Sequence, residues 1–253
     1  MTPLCTASYD HRVPVIRGLI NSGADVNAVD DWGNTPLMCA VSTLSTDTWP
    51  LLYIDREGRY PCYPWRMTVI QLLIGCGANV GTQNALDINA RNSCGQTAFY
   101  AVGLKIPRLA CAGDGEVVQQ LLQNGADTEA KDSHRRTTLH MSALNGKLDV
   151  VELLLTYKAE IEAVDEEGRT PLWVAAWSGT AGVVQLLLDH GANSEAMDTH
   201  SRTPLQVAVM KSHDDVDWIL SWRGSSDAAC VGLQRLFSEA DDASAYPHQS
   251  LNP

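Results

Sequence analysis

Apolar and polar positions follow one another along this chain in a fixed order. A threonine-led group with small apolar residues comes first, then two β-branched or valine positions, a leucine-rich triplet, and Gly-Ala-Asp or Gly-Ala-Asn. The stretch TPLWVAAWSGTAGVVQLLLDHGANSEAMD (170–198) shows the whole pattern. It is followed 33 residues later by TPLQVAVMKSHDDVDWILSWRG and preceded 33 residues earlier by TTLHMSALNGKLDVVELLLTYKAEIEAVD. Earlier copies open at Thr2, Thr35 and Thr97, so two spacings exceed 33, by 29 and by 7. The leucine-rich element recurs at Val15, Val69, Val117, Val150 and Val183, and in degraded form at Val216. Six units result, with additions near residues 45–65, 81–88 and 104–114. A constant period in this range predicts stacked supersecondary units rather than one globular core.

The spelling of one unit predicts two helices. Threonine suits an N-cap, where its hydroxyl accepts from a free backbone N–H, and proline suits the first helical position because it has no N–H to waste. Leu172, Ala175 and Ala176 follow at helical spacing, and the alanines let neighbouring helices approach closely. Gly179 should break this helix. Val183, Val184, Leu186, Leu187 and Leu188 then make a second helix that is apolar over most of its circumference, as a helix between neighbours must be. Gly191 should end it in the left-handed conformation that glycine adopts without steric cost.

With a threonine-led group in six copies, four of them spelled T-P-L, and a step of 33 wherever no addition intervenes, residues 2–224 resemble the ankyrin-repeat family. The resemblance implies an all-α solenoid of helix-turn-helix units joined by β-hairpin-like loops. It implies an ankyrin domain over residues 1–224, with residues 225–253 left for a short capping helix and a disordered tail. The cap reads from SSDAACVGLQRLFSEADDA, where Ser226 or Asp227 is the N-cap and Ala229, Leu233, Leu236, Phe237 and Ala240 share one face. Some positions depart from the pattern. Arg135 and Ser201 replace the loop glycine present as Gly33, Gly95 and Gly168, and Lys158 replaces the C-cap glycine, at a cost of about 1 kcal/mol. Asp217 and Ser221 interrupt the last apolar helix, as a terminal unit facing water requires. Thr2 opens the first unit without its leading loop, which fits an abbreviated cap or a start lying upstream.

By the same resemblance, a partner should contact loop tips and the ends of first helices on a concave face. Those positions are Asp31, Trp32 and Asn34; Cys94 and Gln96; His134 and Arg136; Glu166, Glu167 and Arg169; and His200 and Arg202. Trp177, Met210 and Lys211 fall at helix ends. Arg136, Arg169 and Arg202 recur every 33 residues and should line up, although a basic residue before Thr-Pro is ordinary in such repeats. Trp32 and Trp177 are the stronger candidates, since tryptophan dominates interface energetics. The insertion WPLLYIDREGRYPCYPW holds Trp49, Tyr53, Tyr60, Tyr63 and Trp65, with prolines at 50, 61 and 64 that forbid a continuous helix. It is a second candidate surface, or an aromatic flap over the stack. Asn27, with Leu19 eight residues before it, resembles the asparagine hydroxylated in many ankyrin proteins.

Charge narrows the partner. The formal net charge of −12 and a pI near 4.9 argue against nucleic acid. Residues 1–126 carry 8 basic and 10 acidic side chains, and residues 127–253 carry 10 and 20, so a basic partner surface would be steered to the second half. No signal peptide, membrane-length apolar run or lipidation site is legible. Seven cysteines with no C-x-x-C spacing fit a reducing cytoplasm or nucleus. No phosphate loop, zinc or serine-hydrolase motif occurs, the histidines form no i, i+4 pair, and His140 occupies a position that is structural in the family. The expectation is a monomeric, non-catalytic interaction scaffold or adaptor for another protein, with no cofactor or metal. The rival readings are a regulatory inhibitor masking a basic segment of a client, and an accessory component of a metabolic or biosynthetic pathway.

Overall fold

The computed structural model describes residues 1–42, 64–77, 87–103 and 114–224; for 64–66, 77, 114, 223 and 224 it describes the backbone alone. Twelve helices occupy the described residues. The first helices of the units are α1 (Pro3–Tyr9), α3 (Pro36–Ser42), α5 (Ala98–Gly103), α7 (Thr138–Leu144), α9 (Pro171–Ser178) and α11 (Pro204–Met210). The second helices are α2 (Val13–Asn21), α4 (Pro64–Gly77), α6 (Asp114–Gln123), α8 (Leu148–Thr156), α10 (Ala181–Asp189) and α12 (Asp214–Gly224). First helices pack on first helices and second on second, which makes two layers of an all-α repeat stack.

The threonine signal works as its chemistry demands. Thr2, Thr170 and Thr203 are N-caps whose hydroxyls accept from the N–H three residues on, and Pro3, Pro171 and Pro204 take the first turn. Gly179 closes α9 at φ 73°, and Gly191 follows α10 at φ 87°. Arg135, Lys158 and Ser201 hold positive φ at 61°, 62° and 58°, so these substitutes are forced into the backbone state that their glycine counterparts adopt freely.

The core runs continuously through the stack. Leu4, Leu37, Phe99, Leu139 and Leu172 each fill the same position of a first helix, and Ile16, Ile70, Val118, Val151 and Val184 the same position of a second helix; all are buried. Cys39 is packed among them as a small apolar residue. In α12 the corresponding residue is Asp217, which accepts a hydrogen bond from Ser221 Oγ at 3.1 Å, so the polar interruption expected at the end of the stack forms a local pair.

In four units, one first-helix position joins the unit to the next with the donor it carries. The His140 Nε2–H donates to the Arg169 carbonyl at 3.0 Å, and the Trp173 Nε1–H donates to the Arg202 carbonyl at 3.1 Å. Cys5 Sγ donates to the Asn34 carbonyl at 3.5 Å, while the Tyr100 hydroxyl reaches the Asp132 carboxylate at 2.7 Å. A second stitch runs between the long turns. The side-chain oxygens of Asn27, Asn89, Glu129 and Glu162 accept the backbone N–H of Asp87, Asp127, Glu160 and Asn193 in the following unit.

One feature differs from the sequence expectation. Pro64 and Trp65 belong to the first turn of α4 rather than to the insertion; Pro64 sits where a helix tolerates proline, and so begins the helix instead of forbidding it. The remainder of the aromatic insertion, including Trp49, Tyr53 and Tyr60, lies outside the described residues, as do the additions at 81–86 and 104–113, the expected capping helix and the tail.

Candidate partner-binding face

The loop between units is built around a single acidic side chain. In Asp132, Oδ1 accepts the N–H groups of His134 and Arg136 at 2.9 and 2.8 Å. Asp30, Asp165 and Asp198 do the same two and four residues on, and Asn92 does so with its amide oxygen. The backbone closes each turn, as when Asp198 N–H donates to the Arg202 carbonyl. Adjacent turns are then hydrogen-bonded side by side. Ser93 N–H donates to the Trp32 carbonyl, Ser133 to Cys94, Glu166 to His134 and Thr199 to Glu167. Gly33 is required at one such crossing: its φ is 78°, and a Cβ there would lie 3.0 Å from the Ser93 nitrogen.

This pairing brings the sequence-predicted tips into one row, Trp32, Cys94, His134, Glu167 and His200. Trp32 is 61% exposed, and His134, Glu166, Glu167 and His200 all project to solvent. His134 Nδ1 lies 3.3 Å from Glu166 Oε2. Asn34 and Gln96 meet at Asn92, whose amide donates to both side-chain oxygens, at 2.9 and 3.2 Å.

The arginines do line up at the expected interval, but their guanidiniums are committed. Arg136 donates to Asp132 through Nε and Nη2 at 3.0 and 2.7 Å, and Arg202 to Asp198 at 2.8 and 2.6 Å. Arg169 donates to Asp165 at 2.7 Å and reaches Glu167 at 3.0 Å. The aspartates are buried, with the arginines covering them. Burial pushes the Asp198 carboxyl upward, yet the bonds from Arg202 and the loop N–H groups outweigh it and hold the group below the usual carboxylate range. Asp132 is held low in the same way, with Tyr100 and Arg136 as its donors. All three clamping arginines thus secure the loops they follow.

Behind the last two tips lies a cluster that the sequence reading found only in part. Trp173 and Trp177, one helical turn apart on α9, are stacked with centroids 5.7 Å apart and planes inclined by 11°. The guanidiniums of Arg169 and Arg202 lie 5.6 and 5.4 Å from the Trp173 ring centre, and Lys211 Nζ lies 3.5 Å from that of Trp177. Trp177 is 37% exposed and Met210 64%, whereas Trp173 is buried. Trp177 and Lys211 are therefore direct neighbours, and half-buried packing coexists with an open ring edge. Trp173 was missed because it occupies the inter-unit donor position, which resembles any other core residue in the pattern. The loop aspartates were also missed, although Asp five residues before Thr recurs at Asp30, Asp132, Asp165 and Asp198.

Asn27 is half-buried, and its side-chain oxygen is engaged by the Asp87 N–H at 2.9 Å. Of the aromatic insertion, Pro64 and Trp65 are placed by their backbone in α4 and the rest lies outside the described residues. Among the described residues no three His, Cys, Asp or Glu side chains gather as metal ligands do, and no helix is long and apolar enough to cross a membrane. Family models agree with the repeat geometry. One described as ankyrin repeats (3 copies) matches residues 66–165, 106–198 and 163–228, and one described as ankyrin repeats (many copies) matches residues 4–52.

Proposed function

This chain belongs to the ankyrin-repeat family, whose repeats mediate protein–protein interactions, and on that premise we propose that it is a non-catalytic scaffold or adaptor holding another protein on the face made by its loop tips and first-helix ends. The observation that carries this reading is the continuity of that face. Hydrogen-bonded turns align Trp32, Cys94, His134, Glu167 and His200, and Trp177, Met210 and Lys211 extend the row onto the ends of α9 and α11. Two exposed tryptophan edges and a methionine, set among hydrogen-bonding side chains on a hydrogen-bonded backbone, have the makeup of an interface core with a polar rim. Asn34 and Gln96 would add hydrogen bonds near Trp32, and Arg136, Arg169 and Arg202 would present donors left over from their loop aspartates. The Trp49–Trp65 insertion is the second contact surface in this proposal, and a cytoplasmic or nuclear monomer is the form in which it would act.

The test is affinity capture from native extract with wild type and the Trp32→Ala/Trp177→Ala variant. A near-stoichiometric protein retained by the wild type and lost by the folded variant supports the reading. Equal retention by both moves the site to the insertion or the C-terminal segment.

The charge distribution favours a second, more specific form. With 20 acidic against 10 basic residues in 127–253, the chain would act as a regulatory inhibitor that masks a basic segment of its client. Competition by a lysine- and arginine-rich peptide from the captured protein distinguishes this from a scaffold that leaves such a segment free.

A further inference from the structure

The last unit breaks the repeat pattern on the solvent side of its second helix. In the two preceding units, the places corresponding to Trp218 and Trp222 hold Glu152 and Thr156, then Gln185 and Asp189. No other unit puts an aromatic or aliphatic side chain at either place. Trp218 is 61% exposed, and the two rings stack with centroids 5.7 Å apart and planes inclined by 20°. The face that a seventh unit would cover has changed in the opposite sense. Asp217 and Ser221 replace the buried Val184 and Leu188 of α10 and bond to each other. Apolar surface has thus been withdrawn from the end of the stack and placed on its back, where the other units carry polar residues or glycine.

We propose that the Trp218–Trp222 pair is the seat of the chain's own segment Asp227–Ala240. Three properties select this occupant. The segment carries Leu233, Leu236 and Phe237 at the i, i+3, i+4 spacing that presents one apolar helical face. It begins immediately beyond the helix that bears the pair. Trp218 lies six residues before Gly224, about 9 Å along the helix, while the nine residues from Ser225 to Leu233 reach up to about 30 Å when extended. So short a tether gives an effective concentration on the order of millimolar, which favours the segment over a second copy in dilute solution. The third is one complementary charge: the segment's single basic residue, Arg235, lies between Leu233 and Leu236, away from Asp227 and Glu239 at its ends, and Asp214 and Asp215 are exposed one turn before Trp218.

Hydrogen exchange followed by mass spectrometry on the full chain tests the seat. In the wild type, amides of 227–240 should be protected about tenfold or more over the intrinsic rate, independently of protein concentration. Trp218→Gln/Trp222→Asp installs the residues that α10 carries at the same places, so the stack should keep its fold. This variant should abolish protection at 227–240 while leaving 137–210 unchanged. Leu233→Asp/Phe237→Asp should do the same and also speed exchange at 218–224. Intrinsic-rate exchange of the segment in the wild type overturns the proposal, and so does protection that survives the tryptophan substitutions. Protection that appears only as concentration rises assigns the pair to a second copy, and protection that appears only after adding a captured partner assigns it to that partner; either result also overturns it.

Discussion

Thr138 stands where four other units carry proline, and its hydroxyl is buried without a hydrogen-bond partner. The residue before it is already extended, at φ −90° and ψ 170°, which is the conformation that a following proline demands. Thr138→Pro should therefore stabilise the chain by about 1 kcal/mol, through a less flexible unfolded state and removal of an unsatisfied polar group. Lys158 is the complementary case, a side chain held at φ 62° where Gly23, Gly125 and Gly191 hold φ above 80°. Lys158→Gly should add roughly 1 kcal/mol by relieving the left-handed strain. Both changes are read from the midpoint of urea unfolding, with the slope unchanged. The positions at fault were visible in the sequence as breaks in a repeated spelling. The buried hydroxyl was not, because only packing shows that no acceptor comes within reach.

His140 shows how an element is secured by a group whose charge state matters. Its Nδ1 accepts the Thr137 N–H at 3.2 Å while its Nε2–H donates to the Arg169 carbonyl, an arrangement that only the neutral ring can satisfy. Burial is the leading cause that holds its pKa below the ordinary value of about 6.5, with the Arg169 carbonyl opposing. A depressed folded-state pKa means that the unfolded chain takes up the proton first. The His140 contribution is thus present above about pH 6.5 and is lost as pH falls below it. Asp30, Asp132 and Asp198, also held below their ordinary value, contribute stability above about pH 4 that disappears as pH drops through their folded values. Urea midpoints taken across pH should therefore fall in two steps on the acid side. Gln206 fills the corresponding place in α11 and its Oε1 accepts the Thr203 N–H at 3.0 Å, so His140→Gln should keep the helix start and flatten the upper step alone.

For the whole molecule, the uneven charge becomes a statement about association. Association driven by the acidic second half should slow markedly between low and physiological salt, because exposed charges such as Glu166 and Glu167 act over about a Debye length. Binding centred on Trp32 and the neutral Asn34–Asn92–Gln96 group should change little. Stopped-flow association of the captured partner at several ionic strengths decides between the two, and the sign of the salt effect gives the sign of the partner's contacting surface.

The period of 33, the threonine caps and the glycine stops determined the units, their two helices and the layered stack, because each of these is a local rule repeated until its neighbours complete the core. The row of tip residues was legible for the same reason, one residue at a fixed place in each unit. Tertiary structure decided what those residues are free to do. Arg136, Arg169 and Arg202 proved to be clasped by buried aspartates, a pairing that spacing allows but burial enforces. Trp173 and Trp177 share one helix and one stack, yet the first is sealed by the next unit and the second is open. The sequence places Trp218 where other units are polar, and the packed helix leaves it 61% exposed and stacked on Trp222. Sequence fixes which face of a unit needs covering; only the packed chain shows which side chains remain after the neighbours have taken their share.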